Sequence, residues 1–234
     1  MKHEPDIDPS ELEKFSANAQ QWWDPHGVMR TLHHINPLRL NYIDNAIHLA
    51  GNKVLDLGCG GGILAESMAG KGASVTGLDP GGELIAIARE HAQQTGAHVE
   101  YVIGTAAHHA SEHPGNYDAI TCMELLEHVP DVCALLGACA ELLRPGGHLV
   151  LSTLNRTWRS YASAIIGGEY VLRLLPKGTH DYEKFIRPAE LSGQLRNLGF
   201  EVRDISGVLY LPFINKCALT ADPGVNYLLH ATLR

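Results

Sequence analysis

Residues 53–62 read Lys-Val-Leu-Asp-Leu-Gly-Cys-Gly-Gly-Gly, and Asp79 closes the run Ser74-Val-Thr-Gly-Leu-Asp. An apolar strand (Val54, Leu55, Leu57) runs into a turn built on Gly58, Gly60, Gly61 and Gly62. A helix should follow from about Ile63, and a second strand should end on the Asp79 carboxylate. Strand, glycine turn, helix and acid in this order define a crevice for a nucleoside at the carboxyl ends of parallel strands. Glycine lets the backbone come close to a ligand, and the carboxylate can accept both ribose hydroxyls. The Gly58-x-Gly60 spacing also begins a dinucleotide fingerprint. Asp56 argues against that reading. A carboxylate two residues before the first glycine repels a pyrophosphate and attracts a cation.

A second constellation follows the expected fourth strand. Glu124, Glu127 and His128 are spaced i, i+3 and i+4. If residues 123–129 form a helical turn, all three project from one face. Two carboxylates and an imidazole could bind a divalent cation; one His is less typical of Mg²⁺ than carboxylate and water are. The other reading is structural, with the acids and the imidazole serving the fold alone.

The elements that must position these groups can be read from pattern. Ser10 to Trp23 reads as a helix, with Glu13 three residues after a Ser10 cap. Asn36-Pro37 is expected to open a second helix. Strands are expected near 53–57, 74–79, 98–103, 117–122 and 147–153, with two more over 200–208 and 225–231. Helices are expected near 62–70, 82–95 and 131–143, and another from Pro188. The alternation predicts an α/β, Rossmann-like, doubly wound sheet of seven strands, mostly parallel, with helices on both faces. Residues 1–234 read as one domain, with N-terminal helices in 1–50 and an insertion over 154–187. The insertion is too long for a simple strand-to-helix link.

The glycine motif resembles the first motif of the Rossmann-like S-adenosylmethionine-dependent methyltransferases. That cofactor carries a sulfonium and an ammonium and no phosphate, as Asp56 requires. Five further segments sharpen the likeness: Trp22-Trp23-Asp24, Ile35-Asn-Pro-Leu-Arg-Leu, Thr121-Cys-Met-Glu-Leu-Leu-Glu-His-Val-Pro, Ser152-Thr-Leu-Asn-Arg and Pro176-Lys-Gly-Thr-His-Asp. Together they resemble the ubiquinone biosynthesis O-methyltransferase family, from about Phe15 to His230. The resemblance implies a last strand inserted antiparallel. It implies that Arg39, Gly58, Asp79 and Met123 contact the cofactor, Arg39 by clamping its carboxylate; the reading of the glycine turn itself adds Asp56 and Gly60 to the expected cofactor-binding residues. The resemblance also supports Mg²⁺ at Glu124, Glu127 and His128. One departure is Pro80-Gly81-Gly82, where many relatives carry a larger side chain; Ile103 could compensate against adenine.

The implied reaction is O-methylation of polyprenylated catechols, including 3-demethylubiquinol. A phenol titrates near 10, so a base or a metal must help. His128 is the leading base, with His180 and His34 behind it. Two alternatives remain open: a methyltransferase for another small phenol, and a non-catalytic methyltransferase-like scaffold.

Composition narrows the partners. The net charge is −8 among 234 residues, which argues against a nucleic-acid surface. Five scattered cysteines without a CxxC pair suggest reduced thiols in the cytoplasm. The N-terminus reads as neither signal nor transit peptide. Most of the fourteen histidines, His91, His98, His108, His109 and His113 among them, lie on polar stretches and are expected at the surface. Residues 156–177 combine Trp158, Tyr161, Ile165, Ile166 and Tyr170 with Arg156, Arg159, Arg173 and Lys177, against Glu169 alone. That mixture predicts an interfacial segment with aromatic anchors, contacting the anionic lipid surface on the inner face of the membrane. The polyprenylated phenol or quinol is the expected substrate, and other ubiquinone biosynthesis proteins are possible partners.

Overall fold

β1 (Lys53–Leu57) and β2 (Ser74–Asp79) pair in parallel, as the glycine motif requires. In the computed structural model, which describes residues 9–161, 181–211 and 214–234, they lie within an eight-stranded sheet. The other strands are β3 (Val99–Ile103), β4 (Tyr117–Met123), β5 (Leu143–Leu154), β6 (Phe200–Leu211), β7 (Lys216–Thr220) and β8 (Asn226–Leu233). Their order is β3-β2-β1-β4-β5-β8-β6-β7. The first five are parallel, and β8 enters antiparallel between β5 and β6. The order reverses between β1 and β4, and a crevice opens at the carboxyl ends of strands at such a switch point.

Helices cover both faces. α2 (Arg30–Ile47), α3 (Ile63–Gly70) and α4 (Gly82–Thr95) bury Ile43, Met68 and Ile85 on one side. α5 (Ala106–Glu112), α6 (Val132–Leu142) and α8 (Pro188–Asn197) bury Ala110, Leu136 and Leu191 on the other. α1 (Pro9–Ser16) and the single turn α7 (Trp158–Ser160) lie outside these layers in sequence. Strands buried on both faces explain the near-continuous apolar reading of β1 and β4.

Several expectations need correction. The strand count is eight rather than seven, because β7 hairpins onto β6 at the sheet edge. Its sequence, Lys-Cys-Ala-Leu-Thr, is half exposed and has no clean alternation. The second helix starts at Arg30, and Pro37 sits inside it. Proline there loses one backbone bond, but burial of Ile35, Tyr42, Ile43 and Ile47 carries the helix through. α5 was absent from the expected elements. It buries His109, whose Nε2 lies 2.7 Å from the Tyr117 hydroxyl, so this histidine is not a surface group. The N-terminal helix ends at Ser16, and a short 3-10 turn, Ala19–Gln21, replaces its second half.

A second pair of histidines has a consequence for stability. His148 Nδ1 and His230 Nε2 stand 3.0 Å apart across β5 and β8. Burial, then His148 beside it, pushes His230 down to about 4. Burial, then Arg144 and Arg203, lowers His148. Both therefore stay neutral in the fold, while an unfolded histidine takes up a proton near 6.5. Their contribution is fully present above pH 6.5 and is lost as pH falls from there toward 4. Denaturant midpoints should fall between pH 6.5 and 4.5, and His230→Leu should flatten that part of the curve.

Candidate functional site: a cofactor crevice roofed by the N-terminal segment

The glycine turn is shaped by its neighbours. Gly58, Gly60 and Gly62 all have positive φ, 72°, 53° and 91°. A Cβ on Gly60 or Gly61 would strike the Trp22 ring, and one on Gly62 would strike the Tyr101 hydroxyl. Trp23 Nε1 donates to the Gly61 carbonyl at 2.9 Å. The Trp23 ring stacks on His91 (centroids 3.4 Å, 4° between planes), and His91 Nδ1 lies 2.9 Å from Glu66. The tryptophan pair thus clamps the turn from outside. His91, expected in solvent, is part of that clamp.

Asp79 is buried at the end of β2. Its Oδ2 accepts from Gly60 N–H at 2.9 Å and its Oδ1 from Gly81 N–H at 2.7 Å. Each carboxylate oxygen keeps a second acceptor site, so the group can fix the turn and still receive ribose hydroxyls. Burial raises its proton affinity, and the two backbone bonds oppose this. Ile103, at the end of β3, is 53% exposed and stands beside Gly82. It is therefore the apolar side chain available where the Pro80-Gly81-Gly82 segment offers none.

Asp56 is buried on β1 and accepts from Thr121 Oγ1 at 2.7 Å. Burial pushes it up to about 7, while the Thr121 bond and the Arg39 charge pull it back. A cationic ligand beside it favours the ionised form. Arg39 reaches in from α2, buried, and donates from Nη2 to Glu124 Oε1 at 2.8 Å. A guanidinium has five N–H donors, so this pairing does not exhaust what it can offer a ligand carboxylate. Met123 ends β4 opposite Ser152.

The acidic segment differs from the expected helical turn. Glu124 adopts φ 51°, a left-handed conformation that is uncommon for a residue other than glycine. Ser152 holds it there: Glu124 N–H donates to Ser152 Oγ at 3.0 Å, and Ser152 Oγ–H donates to Glu124 Oε1 at 2.8 Å. Only Leu126–His128 form a turn, and it is 3-10. Glu127 is buried and accepts from Thr153 Oγ1 at 2.8 Å; its Oε1 is buried without a hydrogen-bond partner. Burial, then the Glu124 charge, raises its proton affinity strongly. His128 turns the other way, with Nδ1 2.8 Å from Glu11 Oε2 on α1.

The expected three-ligand metal set is therefore not assembled. Among the described residues no group of three or more His, Cys, Asp or Glu side chains could hold a metal ion. Glu124 faces Arg39 and His128 faces Glu11, because the left-handed residue breaks the helical register. Glu124 and Glu127 remain as a carboxylate pair, with Oε1 of Glu127 buried and unsatisfied. His34 and His180 fare differently as bases. His34 Nδ1 lies 2.9 Å from the Tyr210 hydroxyl, and His180 lies outside the described residues, as do Ile165, Ile166, Tyr170, Arg173 and Lys177.

Glu11, Trp22, Trp23, Thr121 and Ser152 have no role in the site assigned from sequence, although Trp22-Trp23 and the segments holding Thr121 and Ser152 carry the family resemblance. The signal for Glu11 is absent, because it meets His128 across 117 positions of chain.

Fold and crevice together define a methyltransferase. A family model described as "Methyltransferase domain" matches residues 38–205. The magnesium protoporphyrin IX methyltransferase of Synechocystis PCC 6803, solved with bound SAH, superposes with a TM-score of 0.72 at 20% identity, covering 97% of this chain and 100% of that one. At that identity the likeness establishes the fold. Sequence relatives are much nearer. The ubiquinone biosynthesis O-methyltransferase of Aliivibrio fischeri (strain MJ11) is 52% identical over 234 residues, all of both chains. That of Cronobacter sakazakii (strain ATCC BAA-894) is 53% identical over 225 residues, 96% of this chain and 93% of the other. The chain belongs to the ubiquinone biosynthesis O-methyltransferase family.

Proposed function

We propose that this enzyme methylates a ring hydroxyl of polyprenylated catechols, including 3-demethylubiquinol, with His128 as general base. The observation that carries this reading is full-length identity of 52% to a relative named ubiquinone biosynthesis O-methyltransferase, joined to the buried carboxylates Asp56 and Asp79 beside the glycine turn. S-adenosylmethionine, when bound, supplies an electrophilic methyl group. Asp79 and the glycine turn hold its nucleoside, Asp56 faces its positive charge, and Arg39 offers donors to its carboxylate. His128 takes the phenol proton as the ring oxygen attacks in line. The O–CH3 bond forms, the S–CH3 bond breaks, and the sulfide leaves. A panel assay tests the substrate class. Prenylated catechols should turn over with higher kcat/KM than unprenylated ones; equal values would point to another small phenol.

Glu124 and Glu127 would hold a divalent cation, which would supply Lewis acidity at the ring oxygen. The buried unsatisfied oxygen of Glu127 supports this. Chelation should then lower methyl transfer and leave S-adenosylmethionine affinity unchanged. Full activity in excess chelator, with negligible bound metal, rejects the cation.

The lipid tail also calls for a surface role. Each buried methylene is worth about 0.8 kcal/mol, so the tail stays in a bilayer and the enzyme must visit it. Among the described residues no helix is long and apolar enough to cross a membrane. Trp158 is 77% exposed, and Tyr161 is exposed nearby in sequence. Leu209, Leu211 and Ile214 are exposed at the end of β6, which runs in the direction of β5 and so ends at the same edge as the crevice. Arg156 and Arg159 pair with Glu190 and Asp222, which weakens their contribution to lipid attraction. The exposed apolar side chains are therefore the stronger anchors. Vesicles of anionic lipid should capture the protein at low salt, and Trp158→Ser should reduce capture without changing cofactor affinity. No capture at low salt contradicts the membrane role.

A further inference from the structure

We propose that His91 is a positioning residue for the cofactor: with Glu66 it seats the Trp23 indole, and the indole holds the glycine turn in the shape that receives S-adenosylmethionine. This rests on Asp79 and the turn being the nucleoside site. Three observations carry it. The contacts form one relay across three elements. On α4, His91 Nδ1 lies 2.9 Å and 3.0 Å from the two carboxylate oxygens of Glu66 on α3. The His91 ring stacks on Trp23, and Trp23 Nε1 donates to the Gly61 carbonyl at 2.9 Å. The Glu66 carboxylate is also shielded, with its side chain 9% exposed, and Thr95 Oγ1 donates to its Oε2 at 3.1 Å. It is thus not a solvated surface pair, whose worth is small. Finally, His33 on α2 meets the Trp23 indole edge-on, with centroids 5.9 Å apart, and its Nε2 lies 2.9 Å from the Trp22 carbonyl. The indole is therefore held by two imidazoles, each anchored by a polar contact of its own.

The consequence is positional. An ionised carboxylate only accepts, so Nδ1 of His91 carries a proton and donates. That bond fixes the plane of the imidazole, and the stack passes the plane on to the indole. A tilted indole would carry Nε1 away from the Gly61 carbonyl. Gly61 follows Gly60, whose N–H meets Asp79 Oδ2 at 2.9 Å. The turn is thus gripped by the indole and by the carboxylate at adjacent residues. Glycine is conformationally permissive, so a turn with positive φ at Gly60 and Gly62 needs such contacts to stay in one shape. A turn held ready in the bound shape binds more tightly, because little ordering remains to be done. The relay ends at the backbone of the turn, so its effect falls on cofactor affinity and not on the chemical step.

The test compares S-adenosylmethionine affinity by calorimetry, and kcat at saturating cofactor, for the full chain, His91→Ala, His91→Phe, Glu66→Leu, Trp23→Phe and the His91→Ala/Trp23→Phe pair. His91→Ala should raise Kd roughly 5- to 20-fold, with kcat at saturation within about twofold. His91→Phe keeps a ring against the indole and should recover part of the loss. Trp23→Phe keeps the ring and removes the donor to Gly61, so it should raise Kd by a similar factor. In that background His91→Ala should add less than about twofold, because the donor that it seats is already gone. If His91→Ala does not fold, Glu66→Leu and Trp23→Phe carry the same comparison. Unchanged Kd in the folded variants overturns the proposal. So does a fall in saturated kcat as steep as the fall in affinity, or a pair whose effects on Kd simply multiply, since either result leaves His91 with a packing role alone. If Asp79→Ala leaves affinity unchanged, the nucleoside site itself is misplaced and takes this inference with it.

Discussion

Replacing His128 with alanine is expected to lower kcat by about 100- to 10,000-fold, the range for losing a positioned general base. The phenol proton is held with a pKa near 10, so little phenolate forms unaided at neutral pH. S-adenosylmethionine affinity should hold, because the cofactor groups are set by β1, β2 and α2 and not by the turn carrying His128. Pre-steady-state quench kinetics separate the steps: the chemical step should slow while cofactor binding remains at its normal rate. A deeper fall in affinity than in kcat would mean that His128 builds the pocket instead.

Asp79→Ala should act on the opposite half of the reaction. The carboxylate receives Gly60 N–H and Gly81 N–H, so its loss loosens the turn on both sides, and in the proposed site it also removes the acceptors for the ribose hydroxyls. Hydrogen bonds to a charged group of this kind are worth about 1–3 kcal/mol, or about a 5- to 150-fold rise in Kd. Calorimetry on the purified variant reads this directly. With saturating cofactor, kcat should recover much of its value, which distinguishes Asp79 from His128. Unchanged affinity would remove Asp79 from the site.

Much of the fold was legible because its cause is local. The glycine turn, the acid at the end of β2 and the strand alternation each follow from nearby residues, and β1, β2 and α4 lie where the pattern puts them. β8 was placed antiparallel by resemblance alone, since periodicity carries no strand direction. What stayed hidden depends on contacts between distant parts. α2 starts seven residues before Pro37 because its buried face outweighs the proline. Spacing at i, i+3, i+4 suggested a three-ligand face, but Ser152 holds Glu124 in a left-handed conformation and turns it to Arg39. Glu11 could not be assigned before the fold brought it to His128, and the burial of His109 likewise depends on α5 packing over Tyr117.

The central claim is that this crevice moves a methyl group from S-adenosylmethionine to a ring oxygen. The most direct measurement uses the purified full chain, methyl-labelled S-adenosylmethionine and a polyprenylated catechol in detergent micelles, with products resolved by mass and fragmentation. One labelled methyl ether on a ring oxygen, formed in step with one S-adenosylhomocysteine, is the result predicted. Cofactor bound at normal affinity with no methyl ether on any prenylated or simple catechol, with and without added Mg²⁺, would contradict it and leave a methyltransferase-like scaffold.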